Sequence, residues 1–189
     1  MKRVMAVGAH PDDIEFGCSG TLVKHCKQGD FVVYVCMTNT PSIDVTTGEV
    51  IRSGDELTNE VWNACDTLGI KVVEFLQFKD LNVPFNLESV SSLEKLIKKY
   101  DIDTIYTHWA GDSNQDHIAT FKTTMAAARY VPNVFCYEQI PIPRHTENPM
   151  AITYYSDITE TFNDKIKASK CHKSQFVKYK KAGFDVAKN

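Results

Sequence analysis

The chain has 189 residues, of which 43% are hydrophobic and 24% charged, and its formal net charge is −3. This composition is that of an ordinary soluble globular domain, and it excludes collagen-like, coiled-coil and globally disordered proteins. The slight negative charge gives no basic surface of the kind that binds nucleic acid. Apolar runs such as residues 31–37 are much shorter than the ~20 residues that a membrane-spanning helix needs. We therefore expect one globular domain over residues 1–189, with no membrane span.

Two features of the sequence bear on the compartment in which the protein works. The N-terminus lacks the apolar segment and the small-residue cleavage site of a signal peptide. The six cysteines form no C-x-x-C pair, which argues against zinc-finger and thioredoxin-type motifs. Such cysteines are more commonly free thiols in a reducing compartment, so we expect a cytoplasmic protein.

Positive charge is concentrated in a Lys-rich C-terminal segment, residues 165–189. This segment contains eight lysines and one acidic residue, Asp185. A solvated helix face is the commoner meaning of such a pattern, and a contact with an anionic substrate or a partner subunit is the alternative. The sequence leaves open whether the chain forms a homo-oligomer.

Strands and helices alternate along the chain. Short apolar runs predict strands at residues 3–8, 31–38, 71–76, 104–107, 133–137 and 152–155. Helical patterns at residues 15–28, 50–68, 87–100 and 115–129 predict helices. Gly29 and Gly69 end the first two helices, and residues 39–48 form a long loop. This order indicates a Rossmann-like α/β domain, with a mostly parallel sheet and helices on both faces.

Two polar segments follow predicted strands of this sheet. The sequence His-Pro-Asp-Asp occupies residues 10–13, after the first strand, and Asp-Ser-Asn-Gln-Asp-His occupies residues 112–117, after the strand at 104–107. Ligands bind beyond the carboxyl ends of strands in such sheets, so both segments lie at the edge where chemistry is expected.

The residue types in these segments suit a catalytic metal ion. A catalytic zinc takes three His or carboxylate ligands and keeps a fourth position for water, whose pKa it lowers to about 7. His10, Asp13 and His117 are the candidate ligands. Asp12 is then the candidate general base for the water. Each of these residues also has an ordinary interpretation. Asp12 and Asp13 could simply be acids at a helix start, and His117, taken alone, is more often a plain helix residue.

The segment at residues 10–13 resembles the Ala-His-Pro-Asp-Asp signature of the PIG-L/LmbE family of zinc-dependent de-N-acetylases, and residues 112–117 resemble its Asp-x-x-x-Asp-His element. A weaker likeness includes His172-x-Ser174-Gln175. The resemblance implies a Zn²⁺ enzyme that removes acetyl from a small-molecule N-acetylated sugar or sugar conjugate, with His10, Asp13 and His117 as ligands and Asp12 as base. Fe²⁺ or another divalent ion could occupy the same donors.

The chain departs from the family pattern at position 114. Several members have a histidine there that helps stabilise the oxyanion, whereas this chain has Asn114. An asparagine amide can donate a hydrogen bond to an oxyanion but cannot supply a proton. His108 is the alternative for this role, or else an ordinary strand-end residue. Asp116 either orients a histidine or is simply an acid at a helix start.

Two arginines are candidate substrate-binding residues. Arg52 could clamp a phosphate or carboxyl group, or be a plain surface residue. Arg144 lies beside His145 in a Pro-rich stretch that either forms a rim of the site or is an ordinary loop. Two other functions stay open at this point: a metal-dependent hydrolase of another amide, and a non-catalytic Rossmann-like ligand-binding protein.

Overall fold

The computed structural model describes residues 1–43, 47–139, 150–173 and 175. The strands are β1 Arg3–Gly8, β2 Phe31–Thr38, β3 Ser42–Ile43, β4 Val50–Arg52, β5 Val72–Phe78, β6 Thr104–Thr107 and β7 Asn133–Cys136. The helices are α1 Asp13–Gly17, α2 Ser19–Lys27, α3 Gly54–Leu68, α4 Leu87–Lys99, α5 Gln115–Ala127 and α6 Phe162–Ser169, with a short 3₁₀ turn at Thr159–Thr161. None of the helices in this part of the chain has the length and apolar content to cross a membrane.

Five of the strands form one parallel sheet, in the order β5-β2-β1-β6-β7. The strand β1 is central, and Val4 is in register with Val32 of β2 on one side and with Thr104 of β6 on the other. From β1 the chain adds β2 and β5 on one side of the sheet and then β6 and β7 on the other side. The gap between β1 and β6, where this order changes direction, is the expected ligand site. The predicted α/β fold with a parallel sheet is confirmed.

Helices cover both faces of this sheet. Successive residues of a strand point to opposite faces, and β1 divides its side chains accordingly. Val4 and Ala6 pack with the helices α1, α2, α3 and α6. Met5 and Val7 pack with α4 and α5 on the other face. Because both faces of the sheet are buried, its strands have the continuous apolar sequences noted above.

Two predicted helices differ from the observed ones. The helix expected at residues 15–28 is broken at Cys18 into α1 and α2, and the ring of Tyr137 packs directly against Gly17 at this break. The helix expected from residue 50 begins instead at Gly54. Ser53 caps it, because the Ser53 Oγ accepts from the Glu56 N–H at 3.2 Å and the Glu56 carboxylate accepts from the Ser53 N–H at 2.9 Å.

Two predicted loop and strand segments also differ. Within residues 39–48, Ser42–Ile43 pairs antiparallel with Val50–Arg52. The strand expected at residues 152–155 is wrong, since these residues have no regular secondary structure. Tyr154 is 62% exposed and its ring packs on Phe135 at a centroid distance of 5.3 Å. Aromatic content favours a strand only where a neighbouring strand pairs with it.

The described part of the Lys-rich segment is not uniform. Lys167, Lys170 and Lys173 are exposed, as a solvated face requires. Lys165 instead donates hydrogen bonds to the carbonyl oxygens of Phe16 and Gly17, at 2.5 and 3.3 Å. It therefore ties α6 to the end of α1.

Candidate active site

The two polar segments predicted from the sequence meet at the carboxyl ends of β1 and β6. His117 Nε2 lies 3.3 Å from one oxygen of Asp13, and His10 Nδ1 lies 3.5 Å from the other. One ligand atom from each of these three residues lies within 4.8 Å of the other two. Two imidazoles and one carboxylate at this spacing form a donor set that fits a divalent metal ion with an open position.

Asp13 is the centre of the cluster and is almost completely buried. Its Oδ1 accepts a hydrogen bond from Gln139 Nε2 at 2.9 Å, and its Oδ2 accepts from the His10 N–H at 2.7 Å. Burial would raise the pKa of Asp13, but the charges of His117 and His108 and the bonds from His10 and His108 hold it well below its usual value. Asp13 is therefore ionised, which is the form that binds a metal.

A second carboxylate orients His117. Asp112 Oδ2 lies 2.8 Å from His117 Nδ1, which leaves His117 Nε2 directed towards Asp13. Although burial opposes it, the charges of Asp13 and Asp112 raise the pKa of His117 to about 9. The cluster thus has a negative field that a divalent cation would neutralise, and a carboxylate behind a ligating histidine is the usual arrangement at metal sites.

His10 is oriented in the same way from its other side. His10 Nε2 lies 3.1 Å from Asp116 Oδ2 and 3.2 Å from Asp80 Oδ1. Asp116 is itself fixed, because its Oδ1 accepts from the Val83 N–H at 3.1 Å. The Nδ1 of His10 is consequently the nitrogen that faces Asp13.

Asp12 is not one of the three clustered donors, and its backbone is unusual. Its φ is 123°, in a region that non-glycine residues rarely adopt and that costs about 1–3 kcal/mol. Burial, and then the charge of Asp13, raise the pKa of Asp12 to about 7 in the metal-free site. A carboxyl with such a pKa is suited to accept a proton near neutral pH.

The two candidates for oxyanion stabilisation occupy different surroundings. His108 is completely buried, its ring stacks on His117 at 4.0 Å, and its Nε2 lies 3.0 Å from Asp13 Oδ2. Burial lowers the pKa of His108. Asn114 is only partly buried and caps α5, its Oδ1 accepting from the Asp116 N–H at 2.8 Å. His108 thus lies behind the candidate ligands, whereas Asn114 lies at the start of the helix that carries His117.

The two candidate substrate-binding arginines have no direct support in the geometry. Arg52 is only 4% exposed, and its guanidinium pairs with Glu60 at 2.6 Å. Arg144 and His145 lie outside the described residues. Their contact with substrate stays a prediction.

Three residues of the site were given no role by the sequence analysis. Asp112 belongs to the segment quoted there, and its spacing of five residues from His117 was a usable signal. Asp80 follows β5, and the rule that ligands lie beyond strand ends points to it. Gln139 follows β7, and its contact with Asp13 depends on a strand order that no local pattern reveals.

A cavity of about 510 Å³ lies next to this cluster, between α1, β7 and residues 150–158. Its lining includes aromatic rings and one lysine: Tyr106, Trp109, Phe135, Tyr137, Tyr154 and Lys165. Tyr137 separates it from the cluster, since its ring also packs on His108 at 5.0 Å. Apart from Tyr137, none of the described residues named above around Asp13 lines this cavity.

Comparison with known families identifies the chain. A family described as "PIG-L: GlcNAc-PI de-N-acetylase" matches residues 5–128, a range that contains both polar segments. The chain belongs to the PIG-L family. The resemblance inferred from residues 10–13 and 112–117 is therefore confirmed.

Individual PIG-L relatives carry deacetylase names. An Escherichia coli K12 protein named "Uncharacterized deacetylase YaiS" is 34% identical over 179 residues, which is 92% of this chain and 91% of that protein. "Diacetylchitobiose deacetylase" of Thermococcus kodakarensis is 26% identical over 192 residues, covering 93% of this chain and 71% of that protein.

The fold by itself does not identify the reaction. The crystal structure of GalB, a 4-carboxy-2-hydroxymuconate hydratase from Pseudomonas putida KT2440, has a TM-score of 0.78, 22% identity, and coverage of 91% of this chain and 79% of that one. Similarity at this identity shows a shared fold alone. The assignment of activity therefore depends on the site.

Proposed function

We propose that this PIG-L protein is a metal-dependent amide hydrolase that removes the acetyl group from an N-acetylated amino sugar or sugar conjugate. The observation that carries this proposal is the convergence of His10, Asp13 and His117, with the strained Asp12 beside them. Membership of a deacetylase family and the deacetylase names of its relatives support the same reaction.

Zn²⁺ is the metal that we propose for the site. Two histidine nitrogens and one carboxylate are a common donor set for catalytic zinc, and they also accept Fe²⁺. Asp112 would hold the His117 ring and Asp116 the His10 ring, at 2.8 and 3.1 Å. When bound, the ion polarises the amide carbonyl and lowers the pKa of a bound water.

Asp12 performs the proton transfers in this proposal. Its carboxylate accepts the proton of the attacking water and then delivers that proton to the leaving amine, so the products are acetate and the free amino sugar. Asn114 donates a hydrogen bond to the oxyanion, in keeping with its position at the start of α5. His108 is buried behind Asp13, and its Nε2 lies 3.0 Å from both the Asp13 carboxylate and the Ala9 backbone nitrogen.

The test is acetate release from a panel of N-acetyl sugars presented free, nucleotide-linked and lipid-linked. Wild-type protein with about one metal per chain should release acetate from one class, and Asp12→Asn should keep the metal but lose about 10²–10⁴-fold in turnover. Asp66→Asn is the matched control, because Asp66 is 84% exposed and far from the site. A metal-loaded wild type that hydrolyses none of the panel, or an Asp12→Asn variant with normal turnover, would refute the proposal.

We further propose that this reaction takes place in the cytoplasm. All six cysteines are free in the structure. Free thiols persist in compartments that glutathione and thioredoxin keep reduced.

A further inference from the structure

A second group of ionisable side chains is buried on the other side of α1 from the candidate ligands. Glu15 and His172 are completely inaccessible to solvent, and Arg52 is 4% exposed. Burying charged groups costs free energy unless they are paired. None of these three residues belongs to the candidate ligand set, so the group needs a separate explanation.

His172 lies between two carboxylates. Its Nε2 is 3.2 Å from Glu15 Oε1, and its Nδ1 is 3.8 Å from Glu60 Oε2. Both acids have a second partner, since the Tyr34 hydroxyl donates to Glu15 at 3.1 Å and Arg52 pairs with Glu60 at 2.6 Å. Burial would lower the pKa of His172, but Glu15 raises it above its usual value. The His172 ring thus lies within ion-pair distance of Glu15 on α1 and of Glu60 on α3.

The helix α1 depends on such contacts. It has five residues, too few to be stable as an isolated helix. Asp12 directly precedes it, with the positive φ of 123° described above. A strained residue of this kind persists only where the surrounding structure fixes it. Lys165 donates hydrogen bonds to carbonyl oxygens at the end of α1, and His172 Nε2 lies 3.2 Å from the Glu15 side chain.

We propose that His172 is a positioning residue for Asp12: bridging Glu15 and Glu60, it fixes α1 so that the Asp12 carboxylate faces the attacking water. The inference rests on the proposed function, in which Asp12 is the base. It gives His172, in the Lys-rich C-terminal segment, an indirect role in the activity.

The experiment compares His172→Leu and His172→Gln with wild type for kcat, KM, bound metal and thermal unfolding. His172→Leu should lower kcat about 10- to 100-fold, the usual cost of losing an outer partner of a site, with KM and metal content unchanged. His172→Gln keeps one donor and should recover part of the loss. His25→Leu is the matched control, because His25 is also buried and bonds a carboxylate, Asp30, at 2.8 Å. It should lower stability and leave kcat near wild type.

A double substitution separates positioning from a purely structural role. With Asp12→Asn there is no base to position, so adding His172→Leu should not lower the residual rate further. An equal loss in both backgrounds would overturn the inference, as would loss of metal in His172→Leu and His172→Gln. Failure of the proposed function looks different: wild type is then inactive, or Asp12→Asn is fully active, and the inference falls with it. Normal kcat in His172→Leu, with Asp12→Asn impaired, refutes the inference alone.

Discussion

Replacing Asp112 with asparagine tests how a carboxylate outside the ligand set supports metal binding. The Asp112 oxygen lies 2.8 Å from His117 Nδ1, and the two side chains are 8% and 9% exposed, so solvent screens their interaction little. Asparagine keeps the shape and a carbonyl acceptor but removes the charge. A hydrogen bond to a charged group contributes about 1.5–3 kcal/mol and a neutral one about 0.5–1.5 kcal/mol. The loss is then about 1–2 kcal/mol, or about 5- to 30-fold in metal affinity.

The measurement for Asp112→Asn is competition for Zn²⁺ against a chelator of known affinity. The variant should bind one metal per chain, more weakly by this factor, because His10, Asp13 and His117 are all retained. Asp66→Asn, at an exposed position, should bind as wild type does. Unchanged affinity in Asp112→Asn would refute the argument that the carboxylate strengthens the His117 ligand.

Three further outcomes are expected. His117→Ala should show strongly reduced metal by elemental analysis; a wild-type metal content would mean that His117 is not a ligand. Gly17→Ala should lower the free energy of unfolding by about 1–3 kcal/mol, measured with denaturant, because the new Cβ would lie 2.3 Å from the buried ring of Tyr137; an unchanged midpoint would contradict this packing. Burial raises the pKa of Asp30, but the hydrogen bonds from His25 and from the Lys2 N–H, together with nearby positive charge, outweigh it, so its net pKa is lowered. Its stabilising effect is therefore present above the unfolded value of about 3.9 and is lost as pH falls through the lower folded value. Asp30→Asn should accordingly flatten the fall in stability in that acid range, and an unchanged acid-unfolding curve would contradict the stabilising role of the hydrogen bonds to Asp30.

The parts of the fold that were predictable are those fixed by local pattern. The strands β1, β2 and β6 are buried on both faces, so their continuous apolar runs located them to the residue. The start of α3 was also readable, since Ser53 and Glu56 have the spacing of a capping box, but the apolar residues of β4 masked it.

The predictable part of the site follows from one pair of neighbouring strands, β1 and β6. Residues 10–13 and 117 meet because β1 and β6 are neighbours, which the rule for parallel sheets anticipates. Gln139 and His172 were not found in this way. Each reaches α1 or its first residue from more than 120 positions along the chain, and only the complete packing brings them there.

The backbone of Asp12 has a consequence for the engineering of this protein. Glycine adopts a φ of 123° without the steric penalty that aspartate carries, so Asp12→Gly should relieve strain while it removes the proposed base. A selection for thermal stability alone would then favour an inactive enzyme at this position. A library screened for stability without a turnover assay would therefore select against aspartate at this position.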